Sequence, residues 1–300
     1  MALPKLTIWS LTDGKPGHQN QTQGLLNALN TQRTIENYWI DCRQAFNQRL
    51  EFAKTLPAPD YILAAGSKTH LAAVYLRFNY DVKTIVLMKP SLPMWLYDLS
   101  IVPTHDGVRE CEGIICSQGA INDVTPSDSA KPEQGLLLIG GPSKHVQWDE
   151  SSILKQIKQI IDLSPDKQWT LTTSRRTPDS FIPALNAVEL DRLSIHPVET
   201  TDRQWLINAY QSSSTIWVTQ DSVSMIYESM TSGAKVGVIS LAPNGKSRVI
   251  KGIQALCESD QLTTVDNFQR TGKMADKAVS INEAQRIAKL ILSDYKPNPR

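Results

Sequence analysis

The four cysteines among 300 residues, Cys42, Cys111, Cys116 and Cys257, form no Cys-x-x-Cys pair and do not cluster with histidine. That spacing offers neither a zinc motif nor a disulfide framework, and reduced structural thiols are expected. No run of lysine or arginine stands out. A net charge of +1 leaves no electrostatic footprint for nucleic acid. No apolar stretch approaches the ~20 residues that a bilayer span requires, so no integral membrane segment is expected, with peripheral membrane contact left open. The opening MALPKLTIWSL has neither an apolar signal core nor an Arg/Ser-rich presequence, and a cytoplasmic location is expected. Also missing are an Asp-x-Asp pair, the spaced Gly-x-Gly-x-x-Gly fingerprint, internal repeats and low-complexity tracts.

What is present is an α/β alternation. A 41% hydrophobic content is enough for one large or two medium domains. Strands are expected at Leu6–Leu11, Ile35–Ile40, Tyr61–Ala65, Ile85–Met88, Leu99–Val102 and Ile114–Cys116, with helices at 19–30, 44–55 and 69–78 between them. Ala120–Gln134 is rich in Pro, Ser and Asp and reads as a linker, placed at 121–133. A second α/β series follows, with strands at Gly135–Ile139, Trp169–Thr173, Leu193–His196, Thr215–Thr219, Lys235–Leu241 and 262–265. Helices are expected at 150–162, from Pro178 to Val188 with Pro183 breaking or kinking it, and at 205–211, 222–232 and 247–257. The last helix, 281–292, has a long apolar face, and the segment 279–300 is expected to return toward the N-terminal domain. The fold class is α/β: two Rossmann-like doubly wound domains, 1–120 and 134–278, facing across a cleft.

The most informative stretch is 215–241, TIWVTQDSVSMIYESMTSGAKVGVISL, a strand–helix–strand unit. Asp221 reads as the helix N-cap and Gly233 as its close. Val223, Ile226, Tyr227 and Met230 fall on one helix face; Asp221, Ser224 and Glu228 fall on the other. An anion could rest on the Asp-Ser-Val-Ser turn, and Glu228 could accept hydrogen bonds from sugar hydroxyls.

Strand, polar turn, Ser-x-x-x-Glu helix and glycine together resemble the nucleotide-sugar site in the C-terminal domain of GT-B glycosyltransferases. The words DGKPGHQNQ (13–21), TSRRTP (173–178) and VTQDSVSM (218–225) resemble the mitochondrial-fission "elongated mitochondria" family, whose bacterial members are labelled nucleoside-diphosphate-sugar epimerase-like. The resemblance implies a GT-B-like enzyme that transfers sugar from a nucleoside-diphosphate sugar to an unidentified acceptor. An epimerase on the same fold is one alternative, and a non-catalytic adaptor is the other.

Chemistry-bearing residues gather at strand ends. Gly140 and Gly141 let backbone approach a ligand. Arg175 or Arg176 offers a planar fork for phosphate, although adjacent side chains rarely meet one ligand. Asp221, Ser222, Ser224 and Glu228 complete the donor side, with Asn244, Lys246 and Arg248 as further polar residues of the last loop. His18 ends a glycine-containing loop and is the candidate general base, with Asp13 or Asp106 to orient it. His70 and His105 also follow strand ends. Amide and arginine groups suffice to neutralise a diphosphate, so neither a metal nor a further cofactor is required.

Overall fold

The computed structural model describes residues 5–245, 247–275 and 281–293. They fall into two compact units, one drawn from Met1–Asp123 with Asn282–Arg300 and the other from Val124–Ile281. Each is built on a parallel six-stranded sheet.

The first unit runs β1 (Leu6–Thr12), α1 (Pro16–Asn30), β2 (Ile35–Asp41), α2 (Phe46–Lys54), β3 (Tyr61–Ala65), α3 (Ser67–Tyr80), β4 (Lys83–Leu87), β5 (Leu99–Pro103) and β6 (Ile114–Ser117). The sheet order is β2-β1-β3-β4-β5-β6. Central strand β1 is buried along almost its whole length, as a parallel strand covered on both faces must be; edge strand β2 is mostly half-buried. Alternation along β1 sends Ile8 into a core with Leu25 and Leu29, and Trp9 into the opposite core with Ile40 and Ala73. The chain leaves β1 for one side and returns on the other as β3. Their carboxyl ends therefore flank the point where the winding direction changes, the usual ligand position in open α/β sheets.

The second unit runs β7 (Lys131–Leu138), α4 (Glu150–Asp162), β8 (Gln168–Thr172), α5 (Phe181–Asn186), β9 (Leu193–His196), α6 (Arg203–Ser212), β10 (Ser213–Thr219), α7 (Val223–Ser232), β11 (Lys235–Ile239), α8 (Arg248–Glu258), β12 (Thr263–Thr264) and α9 (Val265–Thr271). Its order, β12-β11-β10-β7-β8-β9, puts the change of direction between β7 and β10. Two strand glycines make room for tryptophans on neighbouring strands. A Cβ on Gly135 would collide with the Trp169 ring, and one on Gly237 with the Trp217 ring. The last helix, α10 (Glu283–Leu292), belongs to the first unit, where Ala284, Ile287, Ala288 and Ile291 join the core that contains Leu25 and Leu29 of α1.

Several local expectations are corrected. Strand β7 begins at Lys131, inside the stretch read as linker, and Lys131 lies opposite Ser213 of β10 before a register shift. Helix α5 begins at Phe181, not Pro178. Pro183 therefore falls in the first turn, where an N–H has no intrahelical acceptor, and the first i to i−4 bond comes from Ala184. Asp221 is not the cap of α7: Ser222 holds that position, and the Asp221 carboxylate is engaged elsewhere. Val265 opens a helix rather than closing a strand, because Thr264 Oγ1 accepts the Asn267 N–H as an N-cap. Part of the expected segment 134–278, its end at 276–278, and Lys246 lie outside the described residues.

Candidate functional site

In the first unit, β1 ends at Thr12 and the chain turns through Asp13-Gly14-Lys15 into α1, which Pro16 starts without needing an N–H. His18 sits in the first helical turn, directly over Asp13. Its Nδ1 lies 3.0 and 3.1 Å from the two Asp13 oxygens, and the Lys15 N–H donates to Asp13 Oδ1 at 3.2 Å. Asp13 is almost fully buried, whereas the His18 ring is 26% exposed. Burial alone would raise the Asp13 pKa. Hydrogen bonds from His18 and Lys15 and the charges of both residues outweigh it and hold the carboxyl below its ordinary value. A carboxylate at Nδ1 fixes a proton there in neutral imidazole, which leaves Nε2 as the acceptor. The turn after β3 is shaped around this pair. Gly66 has φ +92°, and a Cβ there would collide with His18 Nδ1 and lie 2.9 Å from Asp13 Oδ2.

A second imidazole lies close by. His70, on the first turns of α3, is buried, and its Nδ1 accepts the Ser91 N–H at 3.1 Å with Ser91 Oγ at 2.9 Å. Its Nε2 is buried without a hydrogen-bond partner among the described residues. Burial first, and the His18 charge second, push its pKa below the ordinary histidine value. Asp106 does not orient His18. It lies in the 3-10 turn Thr104–Asp106 after β5, with His105 Nε2 4.0 Å from Asp106 Oδ1. Since β5 stands three strands from β1, about 14 Å at ordinary spacing, the sheet order separates them.

In the second unit, the loops after β7, β8 and β10 converge. Gly140 N–H donates to Thr219 Oγ1 at 2.7 Å and Gly141 N–H to Asp221 Oδ2 at 3.0 Å. Arg176 reaches back from the β8 loop: Nη1 donates to the Gly141 and Pro142 carbonyls at 3.1 Å each, and Nη2 donates to Asp221 Oδ2 at 2.7 Å and Ser222 Oγ at 3.2 Å. Thr177 Oγ1 donates to the Gly140 carbonyl. Arg175 beside it is exposed and makes no hydrogen bond or ion pair among the described residues. Of the two, Arg176 builds the loops and Arg175 is uncommitted. The Val223, Ser224 and Met225 N–H groups at the start of α7 have no acceptor among the described residues, and Ser224 is exposed.

Glu228 is not on a solvated face. Helix α7 is buried from Ile226 to Ser232, because α6 packs over the side that periodicity marked as polar. Arg203 grips the carboxylate with Nη2 to Oε1 at 3.1 Å and Nη1 to Oε2 at 3.2 Å, and Tyr210 O–H donates to Oε2 at 2.8 Å. Neither partner was anticipated. The one local signal was that Asp202 caps a helix beginning at Arg203, with its carboxylate accepting the Trp205 N–H. Asn244 is exposed in the loop after β11, and Arg248 is exposed at the start of α8. Among the described residues no three His, Cys, Asp or Glu side chains gather as metal ligands would, and no helix is long and apolar enough to cross a membrane.

Comparison with known proteins adds the following. The family described as Mitochondrial fission ELM1 matches residues 16–295. The uncharacterized protein RP120 of Rickettsia prowazekii (strain Madrid E) is 23% identical, over 98% of this chain and 99% of that protein. Among solved structures, a Listeria monocytogenes protein assigned as a UDP-N-acetylglucosamine 2-epimerase superposes with a TM-score of 0.62 at 15% identity, covering 98% of this chain and 96% of that one. Acinetobacter baumannii MurG gives 0.55 at 11%, covering 97% and 100%. The shared architecture is the GT-B type, with two Rossmann-like α/β units.

Proposed function

Taking as premise that this chain belongs to the Mitochondrial fission ELM1 family and has a GT-B-type fold, we propose that it is a glycosyltransferase-like enzyme using a nucleoside-diphosphate sugar. The observation that carries the reading is the Asp13–His18 pair where the first sheet changes winding direction. Asp13 holds the ring through Nδ1, so His18 Nε2 serves as general base. It takes the proton of an acceptor hydroxyl as that oxygen bonds to the anomeric carbon. The bond from that carbon to the diphosphate breaks, and the nucleoside diphosphate leaves with the electron pair.

The second unit holds the donor. The free α7 amides and Arg175 meet the diphosphate charge.

The test is calorimetric titration with UDP, GDP, CDP and their sugars beside turnover assays. His18→Gln is expected to leave nucleotide affinity nearly unchanged while nucleoside-diphosphate release in the presence of acceptor falls by ~10²–10⁴. Unchanged turnover in that variant removes the base. The same dyad suits an epimerase, in which the proton comes from a sugar carbon; acceptor-independent uptake of solvent deuterium into the sugar marks that chemistry. An adaptor would tolerate loss of His18 in its partner binding.

A further inference from the structure

In the second unit, the place suited to a phosphate is filled by the protein itself. Three donors from three loops meet at one oxygen, Asp221 Oδ2: the Gly141 N–H at 3.0 Å, Arg176 Nη2 at 2.7 Å and Ser222 Oγ at 3.0 Å. A glycine amide, an arginine fork and a hydroxyl at a helix start form the kind of donor set that binds phosphate oxygens. The Asp221 side chain is 0% exposed, whereas Arg176 beside it is 46% exposed. Gly140 makes room for this carboxylate, since a Cβ there would collide with Asp221 Oδ2 and lie 2.5 Å from Oδ1.

The fit of this internal anion is incomplete. Asp221 Oδ1 is buried and has no hydrogen-bond partner among the described residues. A buried carboxylate oxygen without a donor is costly, and a group built only to brace the loops has no need to leave it so. The Gly140 N–H next to it in the loop is donated to Thr219 Oγ1 instead. One oxygen is well held and the other is not, so the carboxylate sits in an anion seat without saturating it.

We propose that Asp221 is a built-in occupant of an anion seat formed by Gly141, Arg176 and Ser222, and that a phosphate group of the ligand competes with it for these donors. Phosphate entry transfers the Arg176 fork, the Gly141 N–H and the Ser222 hydroxyl from carboxylate to ligand. Asp221 thereby lowers affinity for any free phosphate compound and reserves the seat for ligands with enough other contacts to displace it. The inference deepens the donor reading above and rests on it for the nucleotide, but not for the anion.

The experiment titrates the full chain with pyrophosphate and, separately, with UDP. It uses wild type, Asp221→Asn and Asp221→Ala, each also combined with Arg176→Gln, and thermal melts establish folding. Removal of the internal anion is expected to tighten pyrophosphate binding about ten- to a hundredfold, and Arg176→Gln is expected to abolish the gain. Equal or weaker binding in folded Asp221 variants overturns the proposal, because Asp221 would then only brace the loops. If neither variant folds, the wild type decides it by amide NMR: pyrophosphate should shift the Gly141 N–H signal, and a Gly141 signal that stays fixed while others titrate refutes the seat. The two readings also separate. A gain in pyrophosphate affinity with no UDP binding in any form upholds the seat and removes the nucleotide. UDP binding by wild type without the gain does the reverse.

Discussion

Glu228 shows how one residue changes meaning once its neighbours are known. As an isolated carboxylate on a polar helix face, its removal would leave stability unchanged or raise it. In the fold it is the counter-charge of Arg203 and the acceptor of Tyr210 O–H. Removing one partner of a largely buried pair leaves the other charge uncompensated. Glu228→Gln is expected to lower unfolding free energy by about 1–3 kcal/mol, a range reduced from fully buried pairs because Arg203 keeps some contact with water. Urea denaturation measures it, and an unchanged midpoint would mean that the Arg203 clamp contributes nothing.

His70 gives a pH-dependent counterpart. Its folded pKa is depressed by burial and by the His18 charge, and protonating Nδ1 would oppose the Ser91 N–H. Below about 6.5 the unfolded chain takes up a proton that the folded chain still refuses, so stability falls as pH drops from that value toward the folded pKa. His70→Gln should flatten this slope in urea midpoints taken from pH 7 to 5, by at most about 1.4 kcal/mol per pH unit. Parallel wild-type and variant curves would exclude a role for His70.

At the scale of elements, the turn from β3 into α3 and the packing of α10 are the sensitive features. Gly66→Ala puts a side chain into a left-handed position and against His18. It should cost at least about 1 kcal/mol and reduce turnover with it, since the dyad must shift. Wild-type turnover in a folded Gly66→Ala protein would show that the dyad geometry does not matter. Ile287 of α10 is completely buried in the core that holds Leu25 and Leu29 of α1, and Ile287→Ala should cost about 2–5 kcal/mol in thermal or chemical unfolding.

At the scale of the whole molecule, the first unit is discontinuous in sequence and the second is not. Deleting 282–300 should therefore expose the α1 face that α10 covers and lower the melting temperature. Nucleotide affinity, assigned to the second unit, should persist. Calorimetry of the truncated chain beside nucleotide titration checks both, and loss of affinity in a chain whose second unit still melts cooperatively would move the donor site.

The sequence by itself determined the α/β alternation and most strand positions. These follow from local rules: apolar runs of five to seven residues, glycine and proline at turns, and side-chain caps. Tyr61–Ala65 and Leu193–His196 were placed to the residue because polar turns bound them on both sides. Only the tertiary structure decided which strands are neighbours, and hence that Asp13 rather than Asp106 meets His18. It alone decided that Arg176 is spent on Asp221 while Arg175 is free, and that α6 covers Glu228. Each of these is a contact between segments far apart in the chain. Periodicity reports which face of an element is apolar, but a polar face covered by a neighbour carrying arginine and tyrosine gives the same pattern as one covered by water.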